Sequence, residues 1–248
     1  MTRRGARSIA TVPAAHLAAL NAGTAEAATL SESLAMDLAA LWRACFPGLP
    51  APDLPASLGI TRRVALAGQA LHAALAPEAV AALASHPSDM VRGWAAHALA
   101  AAPGLDVAGH ATRLRPFAAD AHFGVREWAW MALRPHIAAD LPGALAALRP
   151  WTAEASPFLR RFAVEATRPR GVWCAHLPEL RRNPAAGLVL LEPLRADPAR
   201  YVQDSVANWI NDAAKDQPAW AHALLARWAE VGAAAHILRR AARSLRAG

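Results

Sequence analysis

The stretch SVANWINDAAKDQP, residues 205–218, reads as a helix of good formers interrupted by Asn208, Asn211 and Asp212. Asn208 and Asp212 are four residues apart and share one helix face. Short polar side chains compete with the backbone for hydrogen bonds and weaken a helix interior, so two of them on one face ask for a ligand or an ionic partner. A second stretch, RRFAVEATR, sets Arg161, Glu165 and Arg168 on one face by the same spacing. Carboxylates among arginines have two uses. One is to poise a guanidinium through a salt bridge. The other is chemistry at a cationic centre. Hydrolysis of a glycosidic bond passes through an oxocarbenium-like state, which a carboxylate stabilises while it orients water. A base made cationic by alkylation is already a good leaving group, so charge complementarity and a placed water are enough.

The elements that carry these residues repeat. Segments 86–100, 120–137, 155–170, 197–216 and the shorter 235–245 overlay on an aliphatic residue followed by Arg or Gln. The marker residues are Arg92, Arg126, Arg160, Gln203 and Arg239, at intervals of 34, 34, 43 and 36 residues. Such a period in helix-forming sequence is the signature of paired-helix repeats of the HEAT and armadillo kind. Shorter helices are expected between them, over 77–85, 141–150, 176–182 and 184–196. Pro77, Pro87, Pro142, Pro157, Pro184, Pro198 and Pro218 sit where helices begin, a position at which the missing N–H costs nothing. Taking each marker as zero, positions −1, +3 and +6 are apolar and form the core stripe. Positions +1, +5 and +8 or +9 form a polar column: Glu127 and Arg134, then Arg161, Glu165 and Arg168, then Asp204, Asn208, Asn211 and Asp212, then Arg240. The predicted fold is an all-α solenoid of HEAT-like repeats, of right-handed type, whose curved inner face is basic and lined by this column. Solvated faces or ion pairs between repeats would give the same column.

Composition agrees with helices and with an anionic partner. Of 248 residues, 55% are hydrophobic, mostly Ala and Leu, with few β-branched residues. No apolar run reaches the roughly 18 residues of a membrane span. The formal charge is +7, Lys215 is the only lysine, and the pI near 11.0 points first to nucleic acid. Two cysteines make no disulfide framework. The ten histidines do not fall at metal-ligand spacing, and no phosphate-binding glycine loop is present. Residues 1–20 are basic, lack a signal-peptide pattern, and are expected to be a flexible arm on a cytoplasmic protein, with one repeat domain over 21–248. Of the nine tryptophans, Trp94 and Trp128 share the +2 position and suit packing. Trp130 and Trp209 lie nearer the acidic residues, and Trp173 follows RPRGV, a turn where no core stripe continues. An indole face attracts a cation by about 0.5–2 kcal/mol.

From residue 120 onward the sequence resembles the AlkC-type DNA alkylation repair proteins, in the AlkC/AlkD superfamily of HEAT-like DNA glycosylases. The resemblance is carried by RRFAVEATRPRGVW, YVQDSVANWINDAAKD and ILRRAARSL. It implies excision of positively charged N-alkylated bases, 3-methyladenine among them, from double-stranded DNA. By resemblance, Glu165 and Asp212 match the acidic catalytic positions. Arg161, Arg168, Arg170 and Trp173 match the turn that contacts lesion and backbone, and Arg239 and Arg240 match C-terminal phosphate contacts. Asn208, Lys215 and Trp130 complete the expected DNA-facing set. Where relatives read E-F-A-I-R-P-F, this chain has Trp130 in place of the glutamate, and Glu127, three residues earlier, is the expected substitute. The resemblance also implies a short form without an immunoglobulin-like C-terminal domain. We expect a monomer acting on duplex DNA, with no cofactor, metal or membrane. The alternative is a non-catalytic repeat protein that binds bent, branched or damaged DNA.

Overall fold

A computed structural model describes residues 4–245 of the chain. The described residues form fifteen α-helices joined by turns and short 3-10 helices, with no strand among them. The contacts divide the chain into two compact units, residues 1–104 with 120–132 and residues 105–119 with 133–248, where the sequence reading drew one repeat domain over 21–248.

The first unit holds α1 (Ala14–Asn21), α2 (Leu30–Ala35), α3 (Leu38–Cys45), α4 (Ile60–Ala74), α5 (Pro77–Ala82) and α6 (Asp89–Ala100). α4 packs along α6. The aromatic core is Trp42, Phe46 and Trp94, with centroids 5.1–6.5 Å apart. Of residues 1–20, expected as a flexible arm, 1–3 lie outside the described residues, and the rest is tied to the first unit at Ala6 and Leu20. Leu20 is fully buried, the Ala6 N–H donates to Glu32 Oε1 at 2.7 Å, and the Thr29 hydroxyl donates to the Ala6 carbonyl at 2.7 Å. Those bonds fix a segment whose composition alone suggested solvent.

The second unit holds α7 (Val107–Ala118), α9 (Leu141–Leu148), α10 (Pro157–Glu165), α11 (Pro178–Arg182), α12 (Leu188–Leu191), α13 (Arg200–Ala214), α14 (Pro218–Glu230) and α15 (Ala235–Ala241). α8 (Phe123–Ala139) contributes its first ten residues to the first unit and the rest to the second. Helix starts follow local chemistry. Ser88, Asp106 and Asp140 accept backbone N–H groups at their N-caps, and Pro77, Pro157, Pro178 and Pro218 occupy first helical positions. The predicted helix over 184–196 is broken into a 3-10 turn, the four-residue α12 and another 3-10 turn. The Trp209 ring lies so close to Gly187 that a Cβ there would collide with it, and Pro193 lies within the second 3-10 turn.

The core stripe is as expected. Val91, Ala95 and Ala98, Val125, Ala129 and Ala132, Leu159, Ala163 and Ala166, and Val202, Val206 and Trp209 are all buried. The marker residues have a role of their own. Arg92 donates to the His86 carbonyl, Arg126 to those of Asp120 and Ala121, Arg160 to those of Glu154 and Ala155, and Gln203 to that of Asp197, all at 2.6–2.9 Å. Each side chain reaches back five or six residues and satisfies carbonyls of the turn that precedes its own helix. Carbonyls left over where a turn enters a helix need partners, and four of the five markers supply them.

Candidate functional site

The polar column of the second unit converges at the C-terminal ends of α10 and α13. Glu165, the last residue of α10, is 3% exposed. Its Oε1 accepts Arg168 Nη1 at 2.7 Å, and its Oε2 accepts Arg161 Nη1 at 2.8 Å and the Ser205 hydroxyl at 2.5 Å. Arg168 lies just past the end of α10 and turns its Nε and Nη2 onto Asp212 Oδ2, at 2.8 and 2.7 Å. One guanidinium therefore bridges two carboxylates from two helices. Both acids are nearly inaccessible, so the expected surface column is a buried network here. An isolated buried carboxylate is costly, and pairing of this kind is what makes it tolerable.

The two acids differ in a way that matters for chemistry. Both oxygens of Glu165 are occupied by protein donors. Asp212, 3% exposed, has Oδ2 saturated by Arg168, whereas Oδ1 faces only the Lys215 ammonium at 3.6 Å. That is beyond hydrogen-bond range, and Oδ1 accepts no hydrogen bond from a described residue. Burial pushes both carboxyls up. At Glu165, Arg161, Arg168 and the Ser205 hydroxyl outweigh it and hold the group below its ordinary value. At Asp212 burial prevails over Arg168 and Lys215, and the carboxyl stays above its ordinary value. Environments that push two neighbouring carboxylates in opposite directions separate their roles.

The turn after α10 is fastened from beneath. Arg134 donates to the carbonyls of Ala166, Arg168 and Ala175 at 2.6–3.2 Å. It holds the +8 position of its repeat, as Arg168 does of the next, which was the available signal for it. Above it Trp173 is 49% exposed and has φ +60°, a left-handed backbone uncommon for a bulky residue. Val172 beside it is also exposed, so two apolar side chains face solvent next to the charged network. Arg170 pairs with Asp216 rather than with the network.

The remaining expected residues sort as follows. Asn208 Oδ1 accepts Arg240 Nε at 3.2 Å and Arg243 Nη2 at 3.1 Å, so Asn208 and Arg240 anchor the last helix to α13. Asn211 does likewise through Ser244. Arg239 is exposed and donates to no described residue. Glu127 and Trp130 belong to the first unit. Trp130 is 3% exposed and its Nε1 donates to Glu127 Oε2 at 2.8 Å, which corrects the expectation of an accessible lesion contact: the indole is packed and its donor is taken. Ser205 was missed, because nothing distinguishes a serine inside a helix until its partner is known. Among the described residues no group of three or more His, Cys, Asp or Glu is placed to hold a metal ion, and no helix is long and apolar enough to cross a membrane.

No protein-family model and no curated protein matches the chain. Solved structures do. The alkylpurine DNA glycosylase AlkC of Pseudomonas fluorescens, bound to DNA containing an abasic site analog, matches with a TM-score of 0.64 and 29% identity, over 77% of this chain and 54% of that one. The chain thus spans about half the length of that relative. AlkD2 from Streptococcus mutans matches with a TM-score of 0.60 and 19% identity, over 75% and 90% of the two chains. The protein smu.31 from Streptococcus mutans UA159 matches with a TM-score of 0.58 and 19% identity, over 73% and 91%.

Proposed function

Starting from a chain with the AlkC/AlkD-type DNA glycosylase fold, we propose that it hydrolyses the N-glycosidic bond of positively charged N-alkylated bases, of the 3-methyladenine type, in double-stranded DNA. The observation that carries this reading is Asp212, a buried carboxylate with one oxygen tied down by Arg168 and the other open. The C1′–N bond breaks with its electron pair passing to the cationic base, which leaves neutral. Ionised Asp212 stabilises the oxocarbenium-like sugar and orients a water. The water oxygen bonds C1′ and its proton passes to Oδ1, leaving an abasic site. A carboxyl held above its ordinary value is the better base for that transfer.

Glu165, expected to be catalytic, fits a positioning role instead, since all its acceptors are taken by Arg161, Arg168 and Ser205. Trp173, exposed on the turn beside the network, is the aromatic surface available to a cationic base. Arg161, Lys215 and Arg239 extend the basic surroundings suited to phosphates.

The test is incubation with duplex DNA methylated by a simple alkylating agent, followed by chromatography of released bases. Wild-type protein should release 3-methyladenine, and Asp212→Asn should release none while binding DNA at least as tightly. Retained excision by that variant refutes the assignment of Asp212. The burial of Trp130 against Glu127, where relatives carry a glutamate, favours a second reading, a non-catalytic DNA-binding protein. It predicts salt-sensitive binding and no released base from any methylated duplex.

A further inference from the structure

One step past the network, the same two segments are cross-linked again, and here the charges do not balance. Arg170 and Arg181 both fork onto Asp216. Each donates Nε to Oδ2 at 2.9 Å and Nη2 to Oδ1 at 2.7–2.8 Å. A single bidentate arginine would satisfy this carboxylate. A second guanidinium on the same two oxygens adds like-charge repulsion without adding acceptors. Arg182 follows, exposed and donating to no described residue. Three cations thus stand against one acid. Glu179, the acid on α11, does not line the pocket and pairs with none of the three arginines.

An open pocket of about 350 Å³ adjoins this cluster, lined by Pro178, Arg181, Arg182, Asp216 and Gln217. Because Arg170 and Arg181 engage Asp216 through Nε and Nη2, the Nη1 groups of both remain without a partner among the described residues. The Arg181 guanidinium, oriented in advance by the carboxylate, therefore presents an unused Nη1 at the pocket wall beside Gln217 and the exposed Arg182. Fixed guanidinium donors with surplus positive charge suit a tetrahedral oxyanion.

We propose that this pocket seats a phosphate of the DNA backbone, with Arg181 and Arg182 as its contacts and Asp216 as the residue that orients Arg181. This assignment rests on the reading of the chain as a DNA-binding protein. Asp216 follows Asp212 by one helical turn and Arg170 follows Arg168 by two residues, so the seat lies beside the reacting end of α13 and would set the strand's register there. Neither Arg181 nor Arg182 stands out in the sequence, where they read as an ordinary basic helix end.

The test measures affinity for an unmodified duplex over a range of salt concentrations, for wild type, Arg182→Ala and the double variant R181A/R182A, with thermal melting as a control for folding. Each phosphate contact contributes about 0.9 to the slope of log affinity against log salt. The expected result is a slope smaller by about 0.9 in the double variant, with about tenfold weaker binding at low salt, and a partial loss in Arg182→Ala. Because Arg182 is exposed and holds no described residue, the melting temperature of that variant should match wild type. Unchanged slopes overturn the phosphate seat alone if the wild type binds DNA and releases base. Weaker binding without a change in slope also overturns it, since the contact is then not to phosphate. A wild type that binds no duplex overturns this assignment together with the reading it rests on.

Discussion

α10 and α13 pack along each other, and each end of the pair is closed by a buried Arg–Asp contact. At the first end Arg160 donates to Asp197 at 2.6 and 3.1 Å. Asp197 then accepts the Ala199 N–H on Oδ1, so both of its oxygens are occupied by protein. At the other end Arg168 meets Asp212 on Oδ2 only. Ion-pair distance and burial are alike at the two ends, and neither distinguishes architecture from chemistry. Vacancy does: each oxygen of Asp197 accepts a protein donor, whereas Oδ1 of Asp212 accepts none from a described residue. Arg168 also shares itself with Glu165, which leaves Asp212 with less compensation than its burial calls for.

The largest expected effect falls at the open end. Asp212→Asn should lower base release by 100-fold or more, about the contribution of a positioned acid–base group, with the protein still folded. Wild-type release should decline on acidification as Asp212 takes up a proton, at a pH above the ordinary carboxylate range because its pKa is raised. That same proton uptake favours the folded state. Glu165, whose pKa is lowered, contributes stability that is present above the ordinary carboxylate range and is lost only as pH falls through its depressed value. Activity should therefore disappear before the fold does, and coincident loss in a pH series of rates and melting curves would break the proposed division. Glu165→Gln should cost about 3–5 kcal/mol in denaturant unfolding, because Arg161 and Arg168 each lose a carboxylate partner in a buried network. Asp197→Ala should cost about 2–4 kcal/mol by the same argument, with release per folded molecule unchanged. A drop in that specific rate would show that the closed end is not purely architectural. The smallest effect is Gln203→Ala, about 1 kcal/mol for one neutral hydrogen bond to the Asp197 carbonyl.

The sequence reading was strongest where the physics is local. The stripe at −1, +3 and +6 depends only on helical period and apolar character, and in the first four repeats every member is buried. Trp173 was legible because a turn after RPRGV breaks the stripe, and it is exposed. What was hidden depends on partners distant in the chain. Glu165 and Asp212 were legible as acids on a shared column, but their opposite proton affinities follow from burial and from how Arg161, Arg168 and Ser205, forty residues from Glu165, gather on one acid and not the other. The marker arginines served as a register and hid their purpose, because their partners are backbone carbonyls, which have no residue identity to read. The column was read as an inner surface with ion pairs between repeats as the alternative, and in the second unit mutual pairing buries Glu165 and Asp212. The break at Gly187 and the loss of Trp130 as an accessible group follow from packing against other elements, which periodicity does not report.

The backward reach of Arg92, Arg126, Arg160 and Gln203 has a consequence for how this architecture tolerates change. Each clasp joins a turn to the helix that follows it, so every joint is self-contained and does not rely on the length of chain before it. Extra residues inserted upstream of a joint are absorbed without altering the joint. The 43-residue interval shows this. It holds the Val172–Trp173 turn, α11 and the broken helix after it, yet Gln203 still closes its turn at the usual six-residue span. Variation can gather in that interval, next to Asp212, while the scaffold on either side keeps its register.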